Sequence, residues 1–282
     1  MSPRRGRRGA ALLGLLALLA VAVGGVLVLL NSIDLPTPMT AGCTAVEGED
    51  SADLAPDQAA NAAMIAAVAV ERGLPARAVT IALATAMQES KLRNIDYGDR
   101  DSVGLFQQRP SQGWGTVEQI MDPIYATDAF YDALVQVEDY RSMAVTEAAQ
   151  AVQRSAFPDA YAQHEPMARL FASALTGHST AALSCQWRGT EESDFDLTSL
   201  LVRDFPSATL TDVPDGSQLA LTGEARYSWA LAHWAVATAR ITGVTQVSIA
   251  GQAWRMNDDG TSAWSEEAAN VPDGVVVVTL AG

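Results

Sequence analysis

Ala10 to Leu30 is a run of 21 residues without a charge, and it restricts what the amino-terminal part of the chain can become. At about 1.5 Å rise per residue, a helix of that length spans roughly 31 Å, the thickness of a bilayer's hydrocarbon core. Arg4, Arg5, Arg7 and Arg8 precede it, and the first charge after it is Asp34. The asymmetry predicts a cytoplasmic tail over residues 1–9, a transmembrane anchor over 10–30, and the bulk of the chain outside a cell membrane. A cleaved signal peptide, leaving a secreted chain, is the alternative. Against it, the run is longer than a usual signal core, and Leu29-Leu30-Asn31-Ser32-Ile33 is a poor small-residue cleavage site.

With those four arginines set aside, residues 31–282 hold 14 cations against 33 acids. A body this acidic excludes nucleic-acid binding through the general attraction of phosphate for Lys and Arg. Lys91 is the only lysine and has no phosphate-loop pattern around it, which leaves P-loop chemistry without a base. Cys43 and Cys185 are the only cysteines, and outside the membrane they read most simply as one disulfide. His164, His178 and His233 show no metal-ligand spacing, so neither a metal nor another cofactor is expected.

Residues 31–56, rich in Pro, Thr, Gly, Ser and acids, read as a stalk. Helical patterning begins at Asp57 and stops at Gly73; Pro75 then opens Ala76 to Ser90, apolar nearly all round and therefore a buried central helix. Residues 91–109 cluster Asn, Asp and Gly before a short apolar segment, which suggests a small irregular hairpin. Helices are expected again from Pro123 to about Val137 behind an Asp122 cap, from Thr146 to Arg154, and from Pro158 towards Leu175 with a break at Pro166. Residues 190–282 differ: one helix from Glu224 to about Ile241, then VTQVSIA (244–250), QAWRM (252–256) and VVVVTL (275–280) as strands. The expected fold class is a mainly α domain over 57–187 with a small β-hairpin insertion, followed by a small α+β domain over 190–282.

Glu89 lies at the end of the apolar helix, near the negative end of its dipole. Desolvation and dipole both favour the neutral acid, which a proton donor to a glycosidic oxygen needs near neutral pH. A second carboxylate would hold the oxocarbenium-like state or position a water. Asp96, Asp99 and Asp101 are the nearby candidates. A glutamate in the last turn that merely reaches water is the plain alternative.

Gln88-Glu89-Ser90, then Tyr97-Gly98-Asp99-Arg100, then Gly104-Leu105-Phe106-Gln107 resemble the motifs of the lysozyme-like lytic transglycosylase and goose-type lysozyme families. The likeness covers about residues 57–180. Together with AAQAVQRSAFPDAY (148–161), it is similar to a membrane-anchored lysozyme-like group from actinobacteria. The resemblance implies a lysozyme-like fold for this part of the chain. It makes Glu89 the catalytic acid, or acid and base in turn, with Asp99 or its rival Asp101 as the second acid. Ser90 would support the glutamate, and Gly104, Leu105, Phe106 and Gln107 would line a sugar cleft. The families' third motif, Ala-Tyr-Asn, is absent in that form; its nearest counterpart runs from Ala149 to Gln153, with Tyr161 further on.

Trp114, in Gly113-Trp114-Gly115, can stack on a sugar or anchor its loop to the core; Arg109 should pair with a local aspartate. Five of the six tryptophans (Trp187, Trp229, Trp234, Trp254, Trp264) fall in or beside the second domain, where Tyr227, Leu231, Trp234 and Ile241 share a helical face and read as core. The expected function is cleavage of the β-1,4 bond of peptidoglycan strands, by hydrolysis or lytic transglycosylation. The second domain leaves room for cell-envelope protein partners. A non-catalytic wall-binding or scaffold protein on the same framework is the rival.

Overall fold

The computed structural model describes residues 41–153, 158–189, 196–213, 216–220, 225–266 and 271–281. Residues 40–282 form one compact unit. Two antiparallel sheets organise it: a three-stranded sheet in the order β2-β1-β3, and a six-stranded sheet in the order β4-β5-β9-β6-β7-β8. The small sheet is built from β1 (Gly42–Glu47), β2 (Asp50–Leu54) and β3 (Leu183–Gln186). The large one takes β4 (Thr209–Val213), β5 (Gly216–Ala220), β6 (Val244–Ile249), β7 (Gln252–Met256), β8 (Ser262–Glu266) and β9 (Val275–Leu280).

This corrects the expected fold class. The described chain is mixed α/β rather than a mainly α domain with a hairpin insertion and a separate small α+β domain. One apolar core runs from Ile65 and Leu83 through Phe171 to Trp234, Val247 and Val278, so both halves share it. The expected hairpin over 91–109 is a coil carrying a single bridge between Val103 and Gln108. Strands occur instead at residues 42–54, the described end of the expected stalk. The inward side chains of β1 are Cys43 and Ala45, too small to register as a strand pattern. The β1–β2 hairpin is held to the far end of the helical region by β3, where Cys43 and Cys185 stand opposite one another and form a disulfide. The expected anchor at 10–30 lies outside the described residues; no helix among those described is long and apolar enough to cross a membrane.

The helices follow their sequence signals closely. α1 (Pro56–Glu71) has Pro at its first position, and the Gln58 side chain accepts the Ala55 N–H at 2.9 Å, satisfying a free amide at the helix start. α2 (Ala76–Ser90) is buried over most of its length, as its all-round apolarity requires. Next come α3 (Val117–Met121) and α4 (Pro123–Leu134), the latter capped by Asp122, whose Oδ1 accepts the Ile124 N–H at 2.9 Å. α5 (Val145–Gln153) and α6 (Glu165–Leu175) complete the helical region, with a 3₁₀ segment, Pro158–His164, leading into α6. Pro166 sits in the first turn of α6, where its missing N–H costs nothing. Beyond β3, α7 (Leu197–Asp204) precedes the large sheet; α8 (Ala225–Ala237) and the short α9 (Ala239–Thr242) interrupt it. α8 packs on α1 and α6 as well as on β6 and β9, which welds the large sheet to the helices. Of the five tryptophans in or beside the second half, Trp187, Trp234 and Trp254 are buried in the core, while Trp229 and Trp264 pack half-buried beside them.

Candidate active site

α2 ends abruptly. Lys91 and Leu92 both take left-handed backbone angles, φ 57° and 56°, and their N–H groups close on Met87 and Ala86 carbonyls. Neither is glycine, and each such residue costs on the order of 1 kcal/mol. Leu92 offsets its share by being fully buried. The turn leaves Glu89 half-buried in the last helical turn with the following loop folded back beside it.

Three separate sequence segments converge there. Ser90 Oγ donates to Leu105 O at 2.7 Å and accepts the Arg93 N–H at 3.2 Å, so the serine next to the acid stitches the helix to the Gly104–Gln107 segment. Gln153, at the end of α5, donates to Phe106 O at 2.7 Å and also bonds the Glu89 carboxyl. Tyr161 Oη donates to Glu89 Oε1 at 2.7 Å. Burial raises the pKa of Glu89, and the hydrogen bonds from Tyr161 and Gln153, which favour the carboxylate, hold that rise back. The result is a partly desolvated acid with two fixed donors. It can give up a proton and stabilise the resulting anion.

The Gly104–Gln107 segment meets this site through its backbone. Leu105 and Phe106 are fully buried, and Phe106 stacks on Phe130 with ring centroids 4.5 Å apart. Their side chains therefore brace the site from below rather than line it. Gly104 has φ +80°, and a Cβ there would stand 2.8 Å from Ile120 O, so glycine is required by both angle and space. Gln107 is half-buried, its amide bonded to Tyr97 O at 3.2 Å. A cleft of about 590 Å3 opens beside Gln153, lined by Gln112, Trp114, Gln136, Val137 and Val152 among others. Trp114 is half-buried along it and packs against the core, so the two roles expected of it are compatible.

The candidate second acids stand apart from these contacts. The Asp99 side chain is 93 % exposed, with Arg100 at 3.9 Å its ion-pair partner. Asp101 accepts the Ser111 N–H and the Arg109 Nε–H, both at 2.8 Å. Ser111 and Arg109 hold its carboxyl well below the usual carboxylate range. Arg109 thus pairs with an aspartate, as its surroundings suggested. Asp96 is exposed.

A second layer escaped the sequence reading. His164 Nε2 donates to Gln88 Oε1 at 3.0 Å, and Gln163 donates to the same oxygen at 3.3 Å, fixing the residue next to Glu89. Burial, with a smaller push from Lys91, lowers the His164 pKa. No local pattern could reveal a bond across 76 residues. Among the described residues there is no group of three or more His, Cys, Asp or Glu side chains arranged to hold a metal ion. A comparison of the chain with protein-family models and with curated proteins gives no match.

Proposed function

We propose that this protein cleaves the β-1,4 bond of peptidoglycan strands, with Glu89 as general acid and then base, as the lysozyme-like motifs imply. The observation that carries the reading is the setting of Glu89: a carboxyl whose pKa is raised by burial, held by Tyr161 at 2.7 Å and by Gln153, which itself lines a cleft together with Trp114, Gln112 and Gln136. Indole faces and neutral amides suit sugar rings and N-acetyl groups. The commitment of Asp101 to Ser111 and Arg109, with Asp99 in solvent, favours lytic transglycosylation over hydrolysis, because one carboxyl then handles both proton transfers. Glu89 gives its proton to the glycosidic oxygen as the bond to C1 breaks, and the leaving sugar departs as an alcohol. The carboxylate next takes the proton of a hydroxyl on the retained sugar while that oxygen closes on C1, forming an anhydro ring. We place this activity on the outer side of a cell membrane, with residues 10–30 as the anchor.

The test is product analysis on purified peptidoglycan with the full-length chain and Glu89→Gln, resolving anhydro from reducing ends by mass. Wild type should yield anhydro ends, and Glu89→Gln should be slower by at least about 100-fold, the usual worth of a general acid. Reducing ends would turn the assignment to a hydrolase. An intact polymer that still sediments with both proteins would replace catalysis with binding.

A further inference from the structure

The small sheet ends in β3 on one side and in β2 on the other, and the two edges differ. Val46 N–H donates to Ala182 O at 2.9 Å. Backbone groups alternate in direction along an antiparallel strand, so Gly42, Thr44 and Val46 face β3, while Cys43, Ala45 and Glu47 face β2. On β3 the outward residues are then Leu183 and Cys185. Trp264 Nε1 donates to Leu183 O at 2.7 Å and Ser262 Oγ donates to Cys185 O at 2.5 Å, so β8 covers that edge. On β2 the outward residues are Ser51 and Asp53. No hydrogen bond among the described residues uses their backbone N–H or C=O groups, and this edge is open.

A groove of about 710 Å3 lies between β2 and the first turns of α6. Ala52 and Met167, both half-buried, and the buried Leu170 give it an apolar floor. Glu47 and Asp50 line it as well. They stand directly opposite one another in the β1–β2 register, on the face that also carries Ala45 and Ala52. Like charges placed so destabilise a sheet. Neither carboxylate joins an ion pair among the described residues, and Glu47 accepts the Ser179 hydroxyl at 3.3 Å. Gln163 lines the same groove and donates to Gln88 Oε1, so the groove borders the candidate active site without sharing its acid.

From this arrangement we infer that the β2 edge docks an extended, basic segment of a partner protein as a further strand of the small sheet. Main-chain bonds to Ser51 and Asp53 supply the pairing, and the side chains of the added strand supply the choice of partner. Those side chains alternate between faces. The residue opposite Ala52 lies over the apolar floor, and the residue opposite Asp50, two positions away, meets the unneutralised Glu47–Asp50 pair. That position calls for Arg or Lys. A second copy of this chain is the poorer occupant, because β2 holds Asp50 and Asp53 and no cation. Pairing β2 with itself sets two acidic strands edge to edge, the usual device by which an open edge rejects its own kind. The edge is separate from Glu89, and docking there does not depend on the chemistry of that residue.

The test is calorimetric titration of the full-length chain with the peptide acetyl-Thr-Arg-Thr-Val-Thr-Arg-Thr-amide. Its symmetry puts Val opposite Ala52 and Arg opposite Asp50 in either strand direction. Saturable binding at one site per chain is expected. The peptide with Glu for both Arg, and the Arg peptide N-methylated at the two Thr beside Val, should each bind at least about ten-fold more weakly, the first through charge and the second through lost backbone donors. Glu47→Gln/Asp50→Asn should weaken the Arg peptide by about ten-fold as well. Ser51→Pro removes an outward N–H while sparing the bonds to β1, and should weaken it several-fold. The charge-matched Glu138→Gln/Asp258→Asn, at exposed sites, should bind as wild type. No binding of the Arg peptide, equal binding of its N-methylated form, or equal loss in the charge-matched control would overturn the inference. So would a dimer of the chain that Ser51→Pro dissolves, since the edge would then belong to a second copy.

Discussion

Tyr161→Phe isolates the hydrogen bond at the centre of the proposed site. It removes one hydroxyl, 2.7 Å from Glu89 Oε1, and leaves the buried ring in place. The pKa of Glu89 is raised from its ordinary value of 4.5, so the native state holds this proton more tightly than the unfolded chain. Stability from the group is therefore fully present below 4.5 and is lost as the pH rises through the raised native value. Tyr161 limits that loss by bonding the ionised form. A hydrogen bond to a neutral partner contributes about 0.5–1.5 kcal/mol, and one to a charged partner about 1.5–3 kcal/mol. Tyr161→Phe should thus cost about 1 kcal/mol more near pH 8 than near pH 4, and push the Glu89 pKa further up. Urea unfolding at the two pH values measures the difference, and the same substitution in a Glu89→Gln background should show none of it. Equal destabilisation at both pH values, or a pH dependence that survives Glu89→Gln, would refute the reasoning whatever the protein acts on.

Cys43→Ser/Cys185→Ser opens a cross-link between residues 142 apart, and should lower stability by about 5 kcal/mol in the chain-entropy model, read as a shift in the urea midpoint. Gly104→Ala should destabilise by more than about 1 kcal/mol and reduce glycan cleavage as well, because the Cβ has no room against Ile120 O. Asp101→Asn should be less stable than wild type at neutral pH, with the gap closing in acid. The native carboxyl is held low by Ser111 and Arg109, so its contribution is present above the ordinary value and lost as the pH falls through the native one. Asp99→Asn should keep cleavage within a few-fold of wild type; a loss near that of Glu89→Gln would restore a two-carboxylate mechanism.

Much of the helical region was legible because its signals are local. Residues 76–90 read as a buried helix and form α2 with those bounds. Asp122 caps α4 as its position before Pro123 suggested. β6, β7 and β9 carry enough β-branched and aromatic residues to announce themselves, and Ala250-Gly251, both at positive φ, make the two-residue turn that joins β6 to β7. The small sheet was not legible. β1 and β2 are short and mostly polar at their exposed positions, and the central strand β1 finds its second partner only in β3, far along the chain. Residues 91–109 misled for the opposite reason: turn residues around an apolar core resemble a hairpin, but Leu105 and Phe106 are drawn into the interior by Phe130 and the helices. At the site, Glu89, Gln153 and Tyr161 were reached through motif likeness, while the Gln88–His164 bond depends on the fold alone.

The cross-link between β1 and β3 also sets an order of events during synthesis. Cys43 emerges early, in the middle strand of its sheet, and Cys185 follows only after the whole helical region. Until then any pairing of β1 with β2 leaves the other edge of β1 bare, the kind of edge that recruits foreign strands. Neither the covalent lock nor the edge protection can precede the arrival of β3. A nascent chain stalled inside the helical region would thus combine an uncovered strand with an unpaired thiol.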